Sequence, residues 1–245
     1  GFVNLVSAAN AGGAFSPFGD ITTLMVWQAG KAEFFDFFRL FVPSVVNFIV
    51  PALIMQFAIP NEMPVHAEEE RVVMKPGALV VCGLFVLTIV TAVSFKQFLH
   101  LPPFMGMMLG LSVLMLYGYY LKIKHPDPEN GTRFDIFNKV KEAEWDTLLF
   151  FFGVVFAVGG LGYIGYLELL SGAMYDGLGA TTANILVGVI SAIVDNIPVM
   201  FAVLNMNLDM DLYQWLLVTL TAGVGGSLFS VGSAAGVALM GQSNH

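Results

Sequence analysis

The chain has 245 residues, 57% of them hydrophobic and 11% charged, with a mean hydropathy of +0.78 and a formal net charge of −8. A soluble domain carries about 25% charged residues, so this composition belongs to a membrane protein. The acidic balance, with no basic patch interleaved with aromatics, argues against nucleic acid as a partner. The lone Cys82 excludes an intramolecular disulfide and a thiolate metal site.

In chain order, apolar runs approaching the roughly 20 residues that cross a bilayer fall at Gly1–Ala29 (interrupted), Leu40–Ile59, Gly77–Phe95, Pro102–Leu121, Thr147–Leu170, Thr181–Met206 (interrupted) and Tyr213–Met240 (interrupted). The linker "GKAEFFDFFRL" has the aromatics of an amphipathic piece lying at the interface. "PNEMPVHAEEERVVMKP" is acidic and bounded by prolines. The linker "KIKHPDPENGTRFDIFNKVKEAEW" holds Lys122, Lys124, Arg133, Lys139 and Lys141, half of the ten basic residues. Basic residues near span ends accumulate on the cytoplasmic side. That linker is therefore expected to be cytoplasmic, and so, two spans earlier, is the one holding Arg71 and Lys75. Asp135 to Trp145 reads as a short surface helix. Nothing resembles a cleavable signal peptide. The chain starts on Gly inside an apolar segment and stops at "GQSNH" just after another, so it reads as a piece of a longer protein. Three regions are expected: 1–59, a broken helix and one span; 60–146, two spans with cytoplasmic linkers; and 147–245, a hairpin and a second broken helix.

Two interruptions match. "AANAGGAFSPFGDITTLM" lies over "TAGVGGSLFSVGSAAGVA" with Gly12 and Gly13 on Gly225 and Gly226, Gly19 on Gly232, and Asp20 on Ser233. Broken hydrophobic segments at corresponding places in two halves point to a transporter site. Both stretches, with Pro17, are expected to be non-helical from their Gly-Gly pairs onward. A third interruption, "SAIVDNIPVM", sets Asp195 and Asn196 in an apolar run just before Pro198. Proline lacks an amide donor and disfavours helix at the preceding residue, so the run should bend there. Isolated Gly162, Gly165 and Gly188 read as packing contacts, and the hydroxyls of Thr88, Ser94 and Ser112 as bonded to their own helices. His66, His100, His125 and His245 lie in linkers or at the end.

Asp20 and Asp195 stand out, because an acid at membrane depth is costly and is by default functional. Unwound carbonyls, hydroxyls, Asn oxygens and a carboxylate make a hard oxygen site suited to a small hard cation. A carboxylate out of water holds either a proton or a metal ion, and holding both is disfavoured. Competition for one acid is enough to make an exchanger. No cofactor is called for.

At these residues the chain resembles the NhaD-type sodium/proton antiporters, in the ion transporter superfamily with arsenite pumps and citrate or dicarboxylate carriers. The regions "AANAGGAFSPFGDITT" and "SAIVDNIP…GVGGSLFSVGSAAGVALMG" are similar to that family's two signatures, and the likeness extends over most of the chain. The resemblance implies an all-α polytopic protein of inverted repeats, each with a re-entrant hairpin and a broken helix meeting near the midplane. It makes Thr181–Met206 the second hairpin, turning at Asp195 and Asn196, and lets Thr147–Leu170 lie along the interface. The second repeat is then present and the first partial, its own hairpin missing, so the chain would hold about half the site and not transport alone. Carried over, the cation- and proton-binding set is Asn10, Asp20, Thr22 and Thr23, then Ser191, Asp195 and Asn196, then Ser230 and Ser233, with Na+ held transiently by Asp20 and Asp195. Asp146 also matches an acidic position, although the helix dipole alone explains an acid there. The implied partners are Na+ or Li+, H+ and the lipid bilayer, with a homodimer left open, in the plasma (inner) membrane and in the service of pH homeostasis.

Three rival readings stand beside this one. A sodium-coupled carboxylate or oxyanion carrier shares the architecture, yet two acids would repel its substrate. An intramembrane enzyme needs two acids sharing a proton, yet no H-E-x-x-H motif is present and the paired breaks go unexplained. A structural membrane subunit would have Asp20 and Asp195 facing apart, each with a fixed basic partner.

Overall fold

All the regular structure among the described residues, 2–57, 74, 77–124, 141 and 145–228 of a computed structural model, is helical. The chain forms two units, one of Gly1–Pro60 with Asp146–His245 and one of Asn61–Trp145. In the first unit, α1 (Phe2–Gly13) and α2 (Ile21–Gln28) precede a 3-10 helix (Phe34–Leu40) that runs into α3 (Phe41–Gln56). The unit resumes with α6 (Trp145–Tyr163), α7 (Tyr166–Ser171), a π-helical turn (Gly172–Asp176), α8 (Ala180–Ser191), α9 (Asn196–Asn205) and α10 (Leu212–Gly225). The second unit is the pair α4 (Ala78–Leu99) and α5 (Pro103–Lys124).

Among the described residues three helical stretches are long and apolar enough to cross a membrane: Phe34–Gln56, Ala78–Leu99 and Pro103–Lys124. Their large side chains face outward, as Ile54, Leu79, Phe85 and Phe98 do, which is stable only where lipid replaces water. The protein is thus an all-helical, multi-pass membrane protein. The "GKAEFFDFFRL" linker is continuous with α3: Phe37 and Leu40 turn inward and Phe35 outward, while Glu33 and Asp36 cap the 3-10 start reciprocally. Thr147–Leu170 is not one straight helix. It turns by 80° after Tyr163, where Gly165 adopts φ 87°, a conformation open to glycine.

Small residues decide the tight crossings. A Cβ on Gly106 would lie 2.5 Å from the Ala92 Cα, and one on Gly110 would collide with Thr88, so α4 and α5 meet almost backbone to backbone, as membrane helices do. Thr88 and Ser112 donate to the Leu84 and Met108 carbonyls of their own helices at 2.8 and 2.9 Å. In the first unit Gly188 of α8 packs on Thr221 of α10, where a Cβ would come within 2.8 Å, and Gly225 abuts the Gly188 carbonyl. The core around this crossing holds Val187, Met200, Val203, Val218 and Ala222, all buried. Trp27 is buried edge-on to Phe18 and Phe34.

Two expectations about the breaks need correction. Helix α1 continues through Gly12 and Gly13, and the chain leaves it only at Ala14. Likewise Gly225 closes α10 and Gly226 caps it. Glycine weakens a helix interior by only about 0.5–1 kcal/mol, so at a last turn it marks the end of a helix and does not unwind it. Pro198 does not break the run either. It sits in the first turn of α9, with helix already established at Asn196 and Ile197, because first-turn amides have no intrahelical acceptor and proline's missing donor costs nothing there. The turn lies just upstream, over Ala192–Asp195.

Candidate functional site

The break between α1 and α2 is held by a close approach of the chain to itself. Gly13 and Gly19 touch so closely that a Cβ on Gly13 would lie 2.6 Å from the Gly19 carbonyl oxygen. Pro17 is buried within the loop. Thr23 closes it, its hydroxyl within 2.8 Å of the Ser16 carbonyl and 2.7 Å of the Asp20 carbonyl. Asp20 is then the N-cap of α2, extended at φ −140°, ψ 153°, and accepts from the Thr22 amide at 3.4 Å. An acid is favoured at this position, since it meets orphan amides and the positive end of the dipole.

Helix α2 has eight residues and α9 ten. At 1.5 Å per residue they reach about 12 and 15 Å, well short of a bilayer core. The amino ends of both converge. Asn196, the first residue of α9, places its Nδ2 3.5 and 3.4 Å from the two oxygens of Asp20, across 176 residues of sequence. Asp195 is the N-cap residue of α9, directly before Asn196, and its side chain makes no capping bond. The fully buried Thr22 hydroxyl, two residues from Asp20, has no hydrogen-bond partner among the described residues. Asn10 on α1 buries an Nδ2 that likewise lacks a hydrogen-bond partner among them. Beside these groups Gly223 of α10 presents bare backbone: a Cβ there would lie 2.9 Å from Asp20 Oδ2 and 3.2 Å from Thr22 Oγ1.

The structure therefore brings Asp20, Thr22, Asp195 and Asn196 together. Thr23 and Ser191 have hydroxyls committed to backbone, Ser191 donating to the Ala222 carbonyl at 2.7 Å and so tying α8 to α10. Ser230, Gly232 and Ser233 lie outside the described residues. The sequence reading passed over a polar cluster at the other end of α8. Asn184, fully buried, accepts from the Tyr175 hydroxyl at 2.9 Å and donates to Gln214 Oε1 at 2.9 Å. Gln214 in turn donates to Thr181 at 2.8 Å, and the Thr221 hydroxyl donates to the Asn184 carbonyl at 2.7 Å. An Asn and a Gln inside otherwise apolar helices were the available signal.

An acid, an amide and a hydroxyl thus gather where the amino ends of two short helices meet. A family model described as Citrate transporter matches residues 129–223. The chain is 56% identical over 98% of its length to the Na(+)/H(+) antiporter NhaD of Vibrio parahaemolyticus and 55% identical over 98% to that of Alkalimonas amylolytica. It is 34% identical over 97% of its length to Sodium/proton antiporter 1 of Arabidopsis thaliana. Over nearly its whole length the chain is similar to the NhaD-type antiporters. It spans 62% and 54% of the length of the two bacterial relatives and 42% of the plant protein. No solved structure matches it.

Proposed function

We propose that the protein of which this chain is a part exchanges Na+, or Li+, for H+ across the bacterial plasma membrane, with Asp20 and Asp195 as the competing acids. The observation that carries this reading is the Asn196 amide set across both oxygens of Asp20. It gathers the broken helix and the hairpin tip around a carboxylate that no basic side chain neutralises among the described salt bridges. The amino ends of α2 and α9 temper the negative charge without supplying a cation. A proton or an alkali ion then completes the site, and each excludes the other. Neutral ligands in this proposal are Asn10, Thr22 and Asn196, with Thr23, Ser191, Ser230 and Ser233 in support and an inverted-repeat scaffold around them. Transport, with no chemical conversion of substrate, is the activity proposed, and a homodimer is compatible with it.

Everted membrane vesicles holding the intact protein provide the test. With Asp20→Asn or Asp195→Asn, which keeps shape and removes the titratable charge, adding sodium is expected to leave an imposed proton gradient intact while the protein still reaches the membrane. Exchange at wild-type rate and affinity in either variant defeats the coupling role of that acid. A gradient that collapses with citrate or succinate, and not with sodium, replaces the reading by the anion carrier.

A further inference from the structure

Gly223 differs from the other glycines at the crossing of α8 and α10. Its backbone is ordinary helix, so no left-handed φ calls for glycine, and glycine inside a helix is unfavourable by roughly 0.5–1 kcal/mol against alanine. Gly188 and Gly225 are accounted for by backbone contact between the two helices. At Gly223 a Cβ would meet no backbone of another element within 4 Å among the described residues. Its neighbours are Asp20 Oδ2 at 2.9 Å and Thr22 Oγ1 at 3.2 Å. The missing methyl thus leaves room for two oxygens of the proposed site. The carboxylate is also approached by Asn196 Nδ2 at 3.4 and 3.5 Å and by the Thr22 amide at 3.4 Å.

We infer that Gly223 is a specificity-determining residue, its bare backbone forming the wall of α10 that limits which alkali cation fits at Asp20. The inference rests on the reading of this site as a cation–proton exchange site. A cation held by Asp20 Oδ2 and the Thr22 hydroxyl must fit between those oxygens and α10. A methyl at position 223 pushes the oxygens away and takes up the room. The larger ion, Na+, loses more than Li+, whereas a proton needs no such room and continues to bind.

Proteoliposomes holding the intact protein, with a pH-sensitive dye, separate the outcomes. In Gly223→Ala the half-saturating Na+ concentration is expected to rise about tenfold and that of Li+ by less than about threefold, from the usual scale of overpacking. Gly188→Ala, whose Cβ meets Thr221 instead of the carboxylate, is expected to move both ions together. Equal shifts for the two ions in Gly223→Ala, or none, overturn the proposal. Wild-type protein in detergent gives a second measurement that does not depend on recovering the variant. Li+ and Na+ should raise its thermal midpoint and K+ should not; stabilisation by K+ equal to that by Na+ overturns the size-limiting wall. Size-ranked stabilisation without any cation-driven proton movement would keep the wall and defeat the exchange reading alone.

Discussion

Among the polar side chains at the site, the decisive difference is between those with spare capacity and those already used. Asn196 donates to the Asp20 carboxylate and Thr22 lies beside it, so Asn196→Ala or Thr22→Ala removes a neutral group of the proposed site while keeping the charge. Hydrogen bonds to charged groups are worth about 1.5–3 kcal/mol. Each variant should therefore raise the sodium concentration needed for half-maximal exchange by roughly tenfold to a hundredfold, with the maximal rate largely kept. An unchanged half-saturation would remove that residue from the site. Ser191 behaves otherwise, because its hydroxyl already bonds the Ala222 carbonyl. Ser191→Ala should lower the thermal midpoint of the purified protein, by about 1 kcal/mol of stability, and leave the cation affinity within about twofold. A large affinity change with unaltered stability would make Ser191 a ligand instead of a pin.

At the scale of elements, helix α8 is fixed at the end opposite Ser191. Asn184 bonds Tyr175 and Gln214 within the buried cluster, and truncating it strands both partners. Asn184→Ala should cost roughly 1–3 kcal/mol for each partner left unsatisfied, read as a fall in thermal midpoint larger than that of Ser191→Ala. A smaller fall would mean that water replaces the amide. Much of this architecture was legible in the sequence. Asp20 directly after a Gly-rich break, and Asp195 and Asn196 within an apolar run, marked the two places whose side chains the structure brings near each other. The exact breaks were not legible, since Gly-Gly reads as an interruption whether it ends a helix or unwinds one. Pro198 misled for the same reason: its effect depends on whether it falls in a first turn, which the tertiary course of the chain decides. Asn184 and Gly223 were missed because one polar residue, or one glycine, in a membrane helix has no meaning until the opposing helix is known.

For the whole molecule, the orientation in the membrane is set by charge, and it can be tested where the sequence is most asymmetric. Lys122 and Lys124 close α5, and Arg133, Lys139 and Lys141 follow within the same linker. Helices α4 and α5 are joined through His100, Leu101 and Pro102, with His100 in the left-handed conformation that ends α4. Two consecutive spans with so short a connection return the chain to the side from which it came. On that proposed topology the stretch holding Arg71 and Lys75 is expected on the same side as the Lys122–Lys141 linker, and the connection at His100 on the other. Basic residues are retained in the cytoplasm, so a cysteine placed at Asn130, in a background with Cys82→Ser, should resist a membrane-impermeant thiol reagent added to intact cells and react once the membrane is opened. A cysteine at Leu101 should show the reverse pattern. Labelling of Asn130→Cys from outside would invert the orientation. Labelling of both positions from the same side would break the two-span reading of the α4–α5 pair itself, because helices of 22 residues, about 33 Å long, would then not cross the bilayer as a pair.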